Sequence, residues 1–328
     1  MDISVILCTY NRGELLANAL ESLHRQKVNG ISYELLIVDN NSTDHTRELV
    51  QRFVDKDPHF RYIFEKKQGL SHARNAGIAA AEAELLLFTD DDIEFSETWI
   101  QDNYEASLRF PEADYFGGKV LPIWEQPQPD WLKHSTNPLA IQNHPGDCPL
   151  KFSPEYPHCL VGASLAIRRR AFERAGVFSV ETQRVKGGIG STEDFDWEMK
   201  VWAYGGYGMY VPEPVCWTKI PAERMQKSYH RRWHRGNGKF QAISCNSEYE
   251  GARRFHGVPL FVYRQTAESA IRALTTRLSR RPDAFWHEMR FWFFVGFIRE
   301  KWKSQRTPEQ VSAPFHQAKA MKSANSQG

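Results

Sequence analysis

Two patterns of apolar residues alternate along the N-terminal half of the chain. One is the short unbroken run, at residues 3–8 (ISVILC), 33–38 (YELLIV), 61–64 (RYIF) and 84–88 (ELLLF). These runs are rich in β-branched and large aliphatic residues and have the length of strands buried on both faces. The other is a recurrence every three or four positions. Leu15, Leu16, Ala19, Leu20 and Leu23 share one helical face, and so do Leu49, Val50, Phe53 and Val54. The Ala-rich stretch 70–81 is a third helix, and Thr43 is placed to cap the second. Strands alternating with helices predict βαβ units. They imply an α/β fold whose mostly parallel sheet carries helices on both faces.

Beyond Asp92 the pattern loosens. A helix is expected over 99–110, a strand over 115–121, another over 161–167 and a short helix over 168–175, stopped by Gly176. A glycine loop at 187–190 precedes a helix over 192–204. Between them, residues 122–157 are rich in Pro, Trp, His and Asn, and a long irregular segment inside a compact domain usually serves function.

Composition narrows the class. With 328 residues the chain can form one large domain and an appendage. A formal net charge of +2 selects no partner and gives no reason to expect nucleic acid. The five cysteines are scattered, odd in number and form no CxxC pair, which argues against a disulfide framework or a zinc site and for free thiols. The opening MDISVILCTYNR has no signal-peptide features, and no run of about 20 apolar residues could span a bilayer. A cytoplasmic protein is expected.

The candidate chemistry sits where apolar runs end. In an open α/β sheet, ligands bind beyond the carboxyl ends of the strands. Three polar clusters fall there: Thr9-Tyr10-Asn11-Arg12, Asp39-Asn40-Asn41-Ser42 and Asp90-Asp91-Asp92. Any one reads equally well as a solvated turn, but three in order predict a polar crevice. Alternate carboxylates at a strand end repel each other unless a cation lies between them, and oxygen ligands favour Mg²⁺ or Mn²⁺ shared with substrate phosphates. Glu193, Asp194 and Asp196 open a helix. A carboxylate there is either a general base or a complement to the helix dipole.

SVILCTYNR, ELLIVDNNSTDHT, GLSHARNAGIAAAEAELLLFTDDD, VGASLAIRRRAFERAGVF and STEDFDWEMKVWAYGGYGMYVPEPV, in that order, strongly resemble the family 2 glycosyltransferases over residues 3–225. The resemblance implies a GT-A fold and single-step inverting transfer from a nucleotide-sugar donor, expected to be a UDP-sugar, to a glycan or lipid-linked acceptor. It implies that Thr9, Tyr10 and Asp39 hold the base and ribose, with Arg12, Asn41 and Asp91 adjoining them. Arg74 and Asn75 would lie near the diphosphate. Asp90 and Asp92 would be the metal-binding DxD pair, with Asp92 the direct ligand. Asp194 would be the catalytic base, and Gly162, Ala163 and Glu193 would line the acceptor side.

Two departures qualify the resemblance. The histidine that many relatives carry after the VPE strand is missing, and Lys219 is the candidate phosphate contact in its place. The QxxRW signature of processive synthases is absent too; Tyr229-His230-Arg231-Arg232-Trp233 only approaches it, which favours transfer of a single sugar. Arg231, Arg232 and Arg235 read as a solvated basic helix face or as further candidates for phosphate contacts. A Rossmann oxidoreductase would need G-x-G-x-x-G where Thr-Tyr-Asn-Arg-Gly stands. A metal-dependent phosphohydrolase explains the three aspartates at 90–92 but not Asp39 or the Glu193-Asp194 pair. A non-catalytic nucleotide-sugar or lipid-binding module leaves Asp90, Asp92 and Asp194 without a task.

The domain reading is therefore 1–225 catalytic, 226–306 a basic, aromatic helical extension, and 307–328 a disordered tail. In the extension, arginines are interleaved with Phe291, Trp292, Phe293, Phe294, Phe297, Ile298 and Trp302. That mixture suits a helix lying in an anionic membrane interface, helices packed on the catalytic domain, or a dimer interface.

Overall fold

A computed structural model describes residues 1–306 apart from 135, 145–146, 184–188, 190–191 and 245–250. Cys245, the tail from 307 and all of the glycine loop except Ile189 lie outside the described residues. The elements are β1 (Ile3–Thr9), α1 (Gly13–His24), β2 (Tyr33–Asp39), α2 (Thr46–Val54), β3 (Phe60–Phe64), α3 (Leu70–Ala80), β4 (Leu85–Asp90), β5 (Ile93–Phe95), α4 (Trp99–Arg109), β6 (Tyr115–Trp124), β7 (Leu150–Phe152), β8 (Leu165–Arg168), α5 (Arg169–Ala175), α6 (Glu193–Ala203) and β9 (Gly208–Ile220). The C-terminal elements are α7 (Lys227–Ser244), a small hairpin of β10 (Arg254–Phe255) and β11 (Val258–Pro259), α8 (Leu260–Leu278) and α9 (Ala284–Arg306).

The central sheet runs β3-β2-β1-β4-β8-β6-β9-β5, with β7 also on β9. The four strands from β3 to β4 are parallel, as is the long β6–β9 ladder. The shorter β8, β5 and β7 pairings are antiparallel. Alternation along β1 divides the core. Ile3, Val5 and Leu7 pack with Leu16 and Leu20 of α1 on one face, whereas Ile6 and Cys8 pack with Ala73 and Ile78 of α3 on the other. The register sets Thr9 opposite Asp39 and Cys8 opposite Asp90, so the polar ends of β1, β2 and β4 emerge together.

Three expectations change. Thr43 caps nothing: its N–H goes to Asn11 Oδ1 at 2.7 Å, and α2 begins at Thr46, whose N–H and hydroxyl are taken by Asp44 Oδ1. The strand expected over 161–167 begins only at Leu165. Gly162–Ser164 is a 3₁₀ turn, in which the Ala163 carbonyl accepts from Thr89 Oγ1 and the Gly162 N–H donates to Asp194 Oδ2. Residues 122–157 are less irregular than expected. They hold the end of β6, two 3₁₀ turns and β7, and Leu132 and Leu139 form a small core with Ile220 and Met225.

The aromatic residues of α9 are mostly packed, with Trp286 and Trp302 exposed. Phe285, Met289, Phe297 and Ile298 are buried, and Phe291 to Phe294 are half-buried. Helices α7 and α9 cross where Gly238 meets Gly296. A Cβ on Gly238 would fall 1.9 Å from the Phe293 carbonyl, and one on Gly296 would fall 2.0 Å from the Arg235 carbonyl. Arg231 closes the same interface with a two-point ion pair to Glu288 at 2.6 and 3.2 Å. Among the described residues no helix is long and apolar enough to cross a membrane.

Candidate active site

A cavity of about 720 Å³ opens beyond the ends of β1 and β4. Its walls include Thr9, Tyr10, Arg12, Arg74, Asp90, Asp91 and Asp92 from the sheet side, and Gly162, Ala163, Glu193 and Asp194 opposite. The strand-end aspartates and the start of α6, about a hundred residues apart in sequence, therefore share one space.

Asp91 is the buried bracket of the first wall. It accepts Thr9 Oγ1 at 2.8 Å and Arg12 Nη1 at 2.9 Å, tying the β1 turn to the β4 turn. Burial pushes its carboxyl up to about 6 in spite of Arg12. Burial also opposes the charge on Arg12, but Asp91 and Asp92 outweigh it and hold the guanidinium firmly protonated. Asp92 is flanked by two arginines, Arg12 at 3.4 Å and Arg224 at 3.1 Å, both on Oδ2.

Arg74 joins the two walls. Its side chain is 3% exposed, with Glu193 at 3.0 Å and Asp90 at 3.7 Å. Burial works against its charge, and Glu193, Asp90 and Asp194 overcome it. Gly162 packs against this guanidinium; a Cβ there would sit 2.4 Å from Nη2. The Gly162 N–H donates to Asp194 Oδ2 at 3.2 Å, and the Phe195 N–H donates to Oδ1 at 2.9 Å. Two backbone amides thus fix the direction of the Asp194 carboxylate at the first turn of α6.

One helical turn on, Glu198 is fully buried and receives the Leu160 N–H on both oxygens, at 3.1 and 3.2 Å. Burial, then the charge of Asp194, raises its carboxyl well above the ordinary range, so it carries a proton. The acid sets the height of the 160–163 segment against α6.

Six expected contacts, at Asp39, Asn41, Asn75, Lys219, Arg231 and Arg235, are not part of the cavity wall. Asp39 turns its carboxylate to the Ser42 N–H at 2.8 Å and the Tyr62 hydroxyl at 2.8 Å, while its neighbour Asn40 lines the space. Asn41 adopts a left-handed conformation (φ 65°) in the same turn, and its carbonyl takes Gln68 Nε2. Asn75 is spent on the backbone of Phe178, donating at 2.9 Å and accepting at 3.1 Å. Lys219 is likewise outside the wall, paired with Glu94 at 2.7 Å.

The cation supplied instead is Arg224, from a 3₁₀ turn after β9, a position no motif marked. Helix α7 contributes a further wall. Tyr229, Trp233, Asn237 and Gln241 recur every fourth residue and line the cavity together with Arg232. That spacing is present in the sequence, masked by the arginines interleaved with it. Of the three, only Arg232 reaches the space.

The donor set suits a hard divalent cation. Asp90 and Asp92 present carboxylate oxygens to the cavity, and the arginine contacts on Asp92 engage Oδ2 rather than Oδ1. Among the described residues no group of three or more His, Cys, Asp or Glu could enclose an ion by itself. A bound ion would complete its coordination with diphosphate oxygens and water, as Mg²⁺ commonly does.

The family model "Glycosyl transferase family 2" matches residues 4–176, more than half of the chain. The GalNAc(5)-diNAcBac-PP-undecaprenol beta-1,3-glucosyltransferase of Campylobacter jejuni is 35% identical over 94 residues, 28% of this chain and 30% of that protein. The first relatives in rank are matched over only 29% and 39% of their own length. Among solved structures, the mannosyltransferase PcManGT from Pyrobaculum calidifontis, in complex with GDP-Man and Mn²⁺, superposes with a TM-score of 0.60 at 17% identity, covering 92% of this chain and 87% of that one. S. aureus TarS 1-349 in complex with UDP-GlcNAc gives 0.53 at 17% identity, covering 95% and 93%.

Proposed function

The chain belongs to glycosyl transferase family 2 and is a glycosyltransferase, and we propose that it moves a single sugar, with inversion, from a nucleoside-diphosphate sugar (a UDP-sugar by expectation) to a hydroxyl of a glycan or lipid-linked acceptor at the cytoplasmic face of a membrane. The observation that carries this reading is one cavity holding both Asp90-Asp92 and Asp194, with Arg74 between them.

The residues divide the work. Thr9, Tyr10 and Asn40 receive the nucleoside, and Asp39 braces the turn that presents Asn40. Asp90 and Asp92 would hold Mg²⁺ or Mn²⁺, which neutralises the charge that grows on a departing diphosphate. Arg12 and Arg224 stand beside Asp92 and add positive charge at the same place. Asp194 takes the proton from the acceptor hydroxyl as its oxygen bonds to the anomeric carbon. The bond from that carbon to the diphosphate oxygen breaks on the opposite side, so the configuration inverts. The proton then passes from Asp194 to solvent.

Acceptor sugars fit the side formed by Gly162, Ala163 and α7. There Tyr229 and Trp233 offer apolar ring faces, and Asn237 and Gln241 offer amides. The relatives agree in kind: one is an undecaprenol-linked glycan glucosyltransferase, and two structural neighbours were solved with GDP-Man or UDP-GlcNAc.

Asp194→Asn tests the base. It keeps the shape and an acceptor for one of the two backbone amides but cannot take a proton, so donor affinity measured by calorimetry should be unchanged while turnover falls by about 10²–10⁴-fold. A variant that transfers at the wild-type rate would remove Asp194 from that role.

A further inference from the structure

Helix α8 is built inside out. Phe261 and Tyr263 are half-buried against the cluster of α9 and the hairpin, and the buried residues of α8 are Val262, Ser269 and Thr276. Two of these three are hydroxyl residues, and Thr276 returns its hydroxyl to the Arg272 carbonyl of its own helix at 2.5 Å. Its large aliphatic side chains face away. Leu260, Ile271, Leu274 and Leu278 are 48%, 63%, 60% and 76% exposed. At 100° per residue these four and exposed Ala267 fall within a single narrow stripe along the helix, roughly 27 Å long at 1.5 Å per residue. Single exposed leucines are ordinary, but a continuous stripe of them needs an apolar cover.

The charges beside the stripe say what that cover is. Residues 260–283 carry five arginines against Glu268 and Asp283. Arg264 is paired with Glu268 at 3.6 Å and Arg281 with Asp283 at 2.9 Å, while Arg272, Arg277 and Arg280 stand exposed. A second copy of the chain on this face would set arginine against arginine. An anionic lipid surface accepts the aliphatic stripe among its acyl chains and the arginines among its headgroups.

We propose that α8 is an in-plane membrane anchor, with Leu260, Ile271, Leu274 and Leu278 inserted into the interface of an anionic leaflet and the arginines at its edge held by lipid phosphates. The proposal rests on the peripheral location given above and names the surface that provides it. It also moves the contact away from α9, where Phe285, Phe297 and Ile298 are buried and only Trp286 and Trp302 among the described aromatic residues are exposed.

The test is flotation of the full chain with phosphatidylcholine vesicles, with and without phosphatidylglycerol. Two variants accompany the wild type: Ile271→Glu/Leu274→Glu/Leu278→Glu, and Arg272→Gln/Arg277→Gln/Arg280→Gln. The wild type should float with the anionic vesicles and stay behind with the neutral ones. Each variant should lose at least about tenfold in partitioning. All the substituted side chains are exposed, so circular dichroism and nucleotide binding should match the wild type. Equal flotation of the first variant and the wild type would overturn the proposal. So would a wild type that ignores both vesicles and sediments as a dimer that the glutamates dissociate. Calorimetry with UDP on the same samples keeps the two readings apart: lost flotation with intact nucleotide binding concerns the anchor alone, and absent nucleotide binding in the wild type concerns the catalytic reading alone.

Discussion

Arg74 and Glu198 show how single side chains hold the two halves of the cavity in register. Arg74 spans from Asp90 to Glu193, so the strand-end carboxylates and the start of α6 cannot drift apart without stranding a buried charge. Glu198 does the same for the 160–163 segment, as a neutral acid. Its titration has a consequence for stability. In the unfolded chain Glu198 loses its proton near the ordinary value of 4.5, but in the folded chain it keeps the proton to much higher pH. Between those two values the folded state binds the extra proton, so its contribution is complete below 4.5 and is lost as pH rises toward the folded value. Glu198→Gln keeps the acceptor for Leu160 N–H and does not titrate. Its thermal midpoint should equal that of the wild type below pH 4.5 and exceed it increasingly as pH rises from there toward the folded value. A constant difference at every pH would show that Glu198 is ionised in the fold. Nothing in the sequence marked this residue, because its role comes from burial among Leu160, Cys159 and Tyr115, which lie far from it along the chain.

Among the elements, β1 to β4 and α1 to α3 were legible because each has one strong period and short connections. Later elements were less so, for local reasons. The apolar run 161–167 reads as a continuous strand, yet three of its residues form a turn that offers an N–H to Asp194 and a carbonyl to Thr89. The basic residues of α7 read as a solvated or phosphate-binding face. Their partners on α9 and in the cavity become visible only when the helices are brought together. The α7–α9 crossing fixes that arrangement, and it tolerates no side chain at its centre. Gly238→Ala pushes a methyl group into the Phe293 carbonyl, which belongs to backbone and cannot swing away. Chemical denaturation should show a loss of about 1–3 kcal/mol, the usual cost of overpacking. Wild-type stability would mean that the two helices do not pack this closely.

For the whole molecule, the carboxyl-end rule for α/β sheets located the cavity from sequence, and Asp90, Asp92 and Asp194 all line it. Asp39 ends β2, Asn41 follows in the turn and Asn75 lies in α3, and sequence alone does not say whether such a residue braces the backbone or meets a ligand. In the structure Asp39 is bonded to Ser42 and Tyr62 and Asn75 to Phe178, while Asn41 meets Gln68 through its backbone carbonyl. Arg224 was illegible because only the return of β9 beside β5 brings it to Asp92. The central claim is that Asp92 grips a divalent ion, which in turn grips a diphosphate. Calorimetric titration of UDP into wild type and Asp92→Ala, with Mn²⁺ and with chelator, tests it most directly. In the wild type Mn²⁺ should strengthen binding. In the variant that gain should vanish, while metal-free binding is kept or improved as Arg12 and Arg224 lose their carboxylate and turn to the diphosphate. An equal gain from Mn²⁺ in both proteins would contradict the account.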